Sequence, residues 1–157
     1  MPAAISIRIF RLSDLDRILQ IEHASFANDA YDRKLFAEFH HKCGELFLVA
    51  VKGRSIGGYL IACIGGRAGA IRAELVSVAV DPRQRGQGIA STLMASAIRR
   101  LRRRGVSRLV LMVKVTNNVA IRFYEGYGFR KTRIVRRYYE DGADGWHMER
   151  CWNVQSR

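Results

Sequence analysis

Two prolines and three cysteines are all that this chain of 157 residues has of the residue types that most often brace a small fold. Cys43, Cys63 and Cys151 are odd in number, widely spaced and form no CxxC, so reduced buried thiols are expected rather than disulfides or a zinc site. The histidines, His23, His40, His41 and His147, build no HxxxH and join no cysteine cluster, so no metal site is expected. Long apolar runs are missing too. The stretches at 47–51 and 59–64 stop at Lys, Gly or Arg, which is too short to span a bilayer. The first ten residues lack the apolar run of a secretory signal, which points to a cytoplasmic protein. Neither repeats nor low-complexity tracts occur.

Acidic residues are scarce relative to basic ones: 14 Asp and Glu against 27 Lys and Arg, a formal charge of +13. The imbalance is uneven. Residues 1–80 carry 10 basic and 8 acidic side chains, residues 81–157 carry 17 and 6, so the second half holds +11 of the charge. Arg99, Arg100, Arg102, Arg103 and Arg104 concentrate it. Two readings stand for that cluster: contact with an anionic partner (a phosphorylated cofactor, RNA or a ribosome), or a solvated helix face. Apolar residues at 48% and charged residues at 26% are the composition of a folded chain, and 157 residues suit one domain spanning 1–157.

What is present has clear periodicity. Ile5, Ile7 and Ile9 alternate with Ser6 and Arg8, a strand pattern. Ser13 reads as the cap of a helix on which Leu15, Ile18, Ile21 and Glu22 share a face, running to about Phe26. A second helix is expected over 32–43, with Leu35, Phe36 and Phe39 on one side. Strands are expected at 46–51, 56–64 and 72–80, the first two joined by the turn at 52–55 and the next by a flexible turn at 65–69. A long helix over 88–104 places Ile89, Leu93, Met94, Ala97, Ile98 and Leu101 inward and stops at Gly105. Residues 109–113 are apolar on both faces, as a central strand requires. A short helix at 117–125 and strands at 130–139 and 146–152 complete the order β-α-α-β-β-β-α-β-α-β-β. That order implies an α/β fold with a mixed central sheet flanked by helices.

Two segments carry chemistry. In 78–90 an apolar strand ends at Asp81-Pro82, a basic glycine-bearing loop follows, and a helix opens from it. Such a loop turns successive N–H groups toward one point, and the helix end adds partial positive charge. With the full charge of Arg85, the arrangement suits a pyrophosphate. In 113–129, Asn117 can cap the short helix and also reach a ligand amide, and Tyr124 lies two turns on along the same face. Taken singly, capping and core packing explain both.

Together the two segments resemble the acetyl-CoA-binding core of the GNAT acyl-CoA N-acyltransferase superfamily. Its Arg/Gln-x-x-Gly-x-Gly/Ala signature is matched by Arg85, Gly88 and Ala90, and its Asn-x-x-Ala-x-x-x-Tyr-x-x-x-Gly-Phe by Asn117, Ala120, Tyr124, Gly128 and Phe129. The stretches 21–26 and 138–144 resemble bacterial ribosomal-protein alanine N-acetyltransferases and archaeal N-terminal acetyltransferases. The resemblance implies acetyl-CoA as cofactor. Val78, Ala79 and Val80 would meet its pantetheine arm through strand backbone, and Gly86, Gln87, Gly88, Ile89, Ala90 and Ser91 would cradle its pyrophosphate. Asn117 would hold the pantetheine, and Tyr124 would lie beside the thioester sulfur as general acid.

One position departs from the resembling alanine N-acetyltransferases. Where they usually carry glutamate, two residues before Lys114, this chain has Met112, which cannot be a base. Glu74 is the expected substitute, with a water-relayed base as the alternative. The resemblance also places Phe26, Tyr31, Tyr138 and Tyr139 at the acceptor, where ordinary aromatic packing is the alternative. The leading expectation is acetyl transfer to a protein or peptide amine, most of all an N-terminal α-amine. A small-molecule amine acetyltransferase and a non-catalytic basic RNA- or ribosome-binding module are the other two.

Overall fold

A computed structural model describes residues 4–66 and 71–153. The turn expected at 65–69 therefore falls partly outside the described residues. Seven strands form a mixed sheet: β1 (Ile5–Ile9), β2 (Phe47–Lys52), β3 (Ser55–Gly65), β4 (Arg72–Val80), β5 (Arg108–Lys114), β6 (Arg130–Val135) and β7 (Gly145–Cys151). Four helices accompany them: α1 (Leu15–Phe26), α2 (Arg33–Cys43), α3 (Ile89–Arg103) and α4 (Asn118–Gly126). The chain divides into two compact units.

The first unit holds the described residues up to Cys63 together with Leu75–Leu101. β1 pairs antiparallel with β2 and β2 with β3, in the register Ile7↔Ala50 and Val49↔Tyr59. The period-two pattern of β1 is incomplete: Arg8 is half-buried because its guanidinium grips Asp14 with two bonds of 2.8 Å. Asp14 also accepts the Arg11 N–H at 2.8 Å, so it, and not Ser13, organises the entry to α1 through a 3-10 turn at Leu12–Asp14. Helix α2 begins one residue later than expected, since Asp32 is its cap and accepts the Leu35 N–H. Phe10, Ile18, Ile21, Phe36, Phe47 and Tyr59 pack as an aromatic-aliphatic core, with Phe10 stacked on Phe47 at 4.0 Å. Each such side chain contributes roughly 2–3 kcal/mol on leaving water. Cys43 and Cys63 correct an expectation: they form a disulfide, with their Cα atoms 4.6 Å apart. The residues are 20 apart in sequence and only α2 packed on β3 brings them together. Cys151 is a free, exposed thiol.

The second unit holds the described residues of Ile64–Glu74 and those from Arg102 onward. β4 enters it in parallel with β5, Ala73↔Leu109 and Glu74↔Val110, and β7 lies antiparallel between β5 and β6. Leu109, Val110 and Leu111 are buried, as an apolar central strand should be. Strand β6 is shorter than expected and ends at Val135. The reason is local: Arg137 takes φ +53°, and its N–H bonds the Asp144 carboxylate at 2.9 Å, turning the chain out of the ladder. Tyr138 and Tyr139 consequently sit on the loop between β6 and β7, not in a strand.

Candidate active site

In the first unit the end of β4 is fixed by its neighbours. The Asp81 N–H donates to the Gly57 carbonyl at 2.8 Å, and the Asp81 carboxylate accepts from Arg17 at 2.6 Å and from the Arg83 N–H at 3.0 Å. The Arg17 guanidinium, and then the Arg83 N–H, hold the Asp81 carboxyl below its ordinary range. Val78 and Ala79 are buried and Val80 is half-buried on the strand that leads to this anchor.

Beyond it a 3-10 turn, Pro82–Gln84, delivers the exposed segment from Arg85 to Gly88 at the mouth of α3. Gly86 has φ +78° and Gly88 φ +84°, a region that side-chain-bearing residues avoid. A Cβ at either position would meet no atom within 4 Å, so space there is open for a ligand's close approach. The first N–H groups of a helix have no partner within it and carry its positive end. No acid occupies the first turn of α3, a helix of 15 residues. Ile89, the first residue of α3, is buried, Ala90 is half-buried and Ser91 is exposed. Gln87 accepts from Lys52, and Arg85 reaches Ser25 Oγ at 3.5 Å. Backbone donors, a helix end and Arg85 in one segment, with Lys52 reaching it from the end of β2, fit a pyrophosphate. Phe26 ends α1, exposed at its side chain, and Tyr31 follows half-buried against Phe36 and Phe39.

In the second unit Asn117 does cap α4: its Oδ1 accepts the Ala120 N–H at 3.1 Å. Only the carboxamide oxygen serves the cap, which leaves the nitrogen's donors for another role. Tyr124 lies half-buried on α4, edge-on to Phe123 and to Phe129. Its carbonyl accepts the N–H groups of Tyr127 and Phe129, closing the helix.

Glu74 is exposed on β4. Its register partner is Val110, and partners in adjacent strands project to the same face, as does Met112 two residues on. Glu74 and Met112 therefore share a sheet face. Met112 is half-buried, with its methyl against Gly145, where a Cβ would come within 2.8 Å of it and 3.3–3.4 Å of Tyr138 and Tyr139. Those two rings meet edge to face at 5.0 Å, and Lys114 lies over the Tyr139 ring while pairing with Asp141 at 2.8 Å. Lys114 holds the Asp141 carboxyl below its usual range.

Two groups of residues were not anticipated as contributors. One is Arg17 and Lys52, which bond Asp81 and Gln87 on either side of the stretch 83–86. The other is Glu22, buried with Tyr59 and Ser77. The sequence carried one signal for the latter: an acid at a core-facing helical position beside Ile18 and Ile21.

A mixed sheet that feeds a glycine-bearing, basic loop into a helix end defines an α/β protein built to hold a phosphorylated cofactor. Residues 12–129 match the Acetyltransferase (GNAT) family, and the chain belongs to that family. It is an N-acetyltransferase whose acyl donor is acetyl-CoA. The chain is 29% identical over 154 residues to an N-alpha-acetyltransferase of Saccharolobus solfataricus, with 92% of each chain covered. Among solved structures it is similar to Ard1 from Thermoplasma volcanium, at 30% identity and a TM-score of 0.85, covering 94% of this chain and 97% of that one. It is also similar to the ribosomal-protein-S18-alanine N-acetyltransferase from Escherichia coli, at 27% identity and a TM-score of 0.78, covering 98% and 96%.

Proposed function

We propose that this protein acetylates the N-terminal α-amine of proteins or peptides, working as one catalytic domain over residues 1–157. The supporting observation is the joint presence of the glycine-bearing loop at α3 and the capped α4 in a chain whose relatives, matched nearly end to end, are named N-alpha-acetyltransferase and ribosomal-protein-S18-alanine N-acetyltransferase. Acetyl-CoA, when bound, supplies a thioester that a neutral amine can attack. Gly86 to Ser91, with Arg85, hold its pyrophosphate; the backbone of Val78, Ala79 and Val80, with Asn117 and Ala120, hold its arm. A β4 N–H takes the developing negative charge on the carbonyl oxygen. Glu74, or water in its place, takes the amine proton, and Tyr124 returns a proton to the departing sulfur, so charge balances across the transfer. Phe26, Tyr31, Tyr138 and Tyr139 receive the acceptor. No helix among the described residues is long and apolar enough to cross a membrane. We place the work in the cytoplasm, where acetyl-CoA and emerging N-termini meet, with the arginines at the end of α3 facing an anionic surface such as a ribosome.

Steady-state acetyl-CoA turnover with a panel of unblocked peptides, lysine-bearing blocked peptides and polyamines tests this. Turnover on unblocked peptides is expected. Turnover on polyamines alone would replace the proposal with a small-amine acetyltransferase, and no turnover with any amine would leave a non-catalytic binding module.

A further inference from the structure

Glu22 lies on the core face of α1 with Leu15, Ile18 and Ile21 and is 1% exposed. Packing alone does not call for a carboxylate there, since the other buried positions of the helix are leucine and isoleucine. Burying an unpartnered carboxylate is costly, and both oxygens of this one are occupied. Oε2 accepts the Tyr31 N–H at 2.8 Å, and Oε1 accepts the Tyr59 hydroxyl. Tyr59, on β3, is itself fully buried, and its oxygen lies 3.2 Å from Ser77 Oγ on β4. Burial pushes the Glu22 carboxyl up, against the Tyr31 and Tyr59 donors that pull it down. The carboxylate thus joins three elements to one backbone N–H in the segment between α1 and α2.

That segment needs a restraint. Ala27, the first residue after α1, has φ +47° and ψ −115°, a conformation that favours glycine and that persists in other residues only when the surroundings enforce it. The Glu22–Tyr31 bond closes the far side of the same segment. Tyr31 is also pinned by its ring, edge-on to Phe36 and Phe39.

We infer that Glu22 is a positioning residue for the acceptor: by holding the Tyr31 backbone against Tyr59 and Ser77, it keeps the segment between α1 and α2, and with it Phe26 and Tyr31, in the form that receives the peptide. The inference rests on the proposed peptide acetyltransferase function, in which Phe26 and Tyr31 touch the acceptor. Its consequence is selective. Acetyl-CoA is held by the cradle from Gly86 to Ser91, so losing the Glu22 tie weakens acceptor binding and spares the cofactor.

The test uses the full chain and steady-state kinetics with a peptide that the wild type acetylates. Glu22→Leu puts a slightly larger apolar side chain on the core face and removes both acceptors. It should raise peptide KM about tenfold or more, with kcat at saturating peptide and acetyl-CoA affinity close to wild type. Glu22→Gln should restore most of the loss, because its oxygen accepts the Tyr31 N–H while its nitrogen donates to Tyr59. Ala27→Gly removes the backbone strain and should lower the raised KM of Glu22→Leu when the two are combined. Should Glu22→Leu fail to fold, Glu22→Asp carries the test: its shorter arm cannot span both donors, and the same KM rise is expected. Unchanged peptide KM in a folded variant, or an equal loss of acetyl-CoA affinity, overturns the inference while peptide turnover by the wild type keeps the proposed function. A wild type that acetylates no peptide overturns both.

Discussion

Arg17 on α1 donates to the Asp81 carboxylate at 2.6 Å across 64 positions of sequence, and its Nε donates to the Ile56 carbonyl at 3.0 Å. One guanidinium therefore ties the first helix and β3 to the strand end that leads into the proposed cradle. Because the pair depresses the Asp81 pKa, its stabilisation is present above the unfolded carboxyl's value and is lost as pH falls through the lower folded value. Asp81→Asn should lower Tm at neutral pH. The gap from wild type should close below about pH 4, where the unfolded carboxyl protonates and the wild-type pair begins to lose its advantage. Thermal denaturation across pH checks this; a gap independent of pH would assign the loss to shape alone.

Gly88 has φ +84° and open space where a Cβ would stand. Gly88→Ala should then weaken acetyl-CoA through backbone strain alone, by about tenfold, whereas Gly88→Glu should abolish binding by placing a carboxylate against the phosphates. Calorimetry separates the two, and equal affinities for wild type and Gly88→Glu would move the cradle elsewhere.

The helix α3 was legible because its inner residues, Ile89, Leu93, Met94, Ala97, Ile98 and Leu101, repeat at helical spacing and all are buried. The succession of strand β4, glycine-bearing loop and α3 was legible for the same local reason: the three are consecutive in sequence. What escaped depends on distant partners. The Cys43–Cys63 disulfide needs α2 packed on β3, and neither cysteine's neighbours in sequence announce it. Tyr138 and Tyr139 left the strand because Asp144 captures the Arg137 N–H, a bond seven residues long that alternation cannot show. Ser13 lost the cap to Asp14 because Arg8, from a different element, holds that carboxylate in place. Glu22 was placed on the core face by spacing, yet its partners Tyr31 and Tyr59 lie on other elements.

Tyr124 stands half-buried on α4, with its ring edge-on to those of Phe123 and Phe129. If it protonates the leaving sulfur, Tyr124→Phe should cut kcat about ten- to a thousandfold while acetyl-CoA affinity holds, since the ring packing survives. Wild-type turnover in this variant would confine Tyr124 to packing.

Glu74 and Met112 project from the same sheet face, which gives the proposed base a defined replacement. Glu74→Gln should slow transfer most at low pH and partly recover at high pH, where the acceptor amine loses its proton to solvent unaided. Adding Met112→Glu returns a carboxylate to that face and should recover part of the rate. Superimposable pH–rate profiles for Glu74→Gln and wild type would leave water as the proton acceptor.

The central claim is that the acetyl group goes to an α-amine. Incubating the purified protein with acetyl-CoA and a peptide bearing both a free N-terminus and an internal lysine, then locating the acetyl group by fragmentation mass spectrometry, tests it most directly. The account predicts one acetyl group on the N-terminal nitrogen and none when that nitrogen is blocked. Acetylation confined to the lysine, and persisting in the blocked peptide, would contradict it.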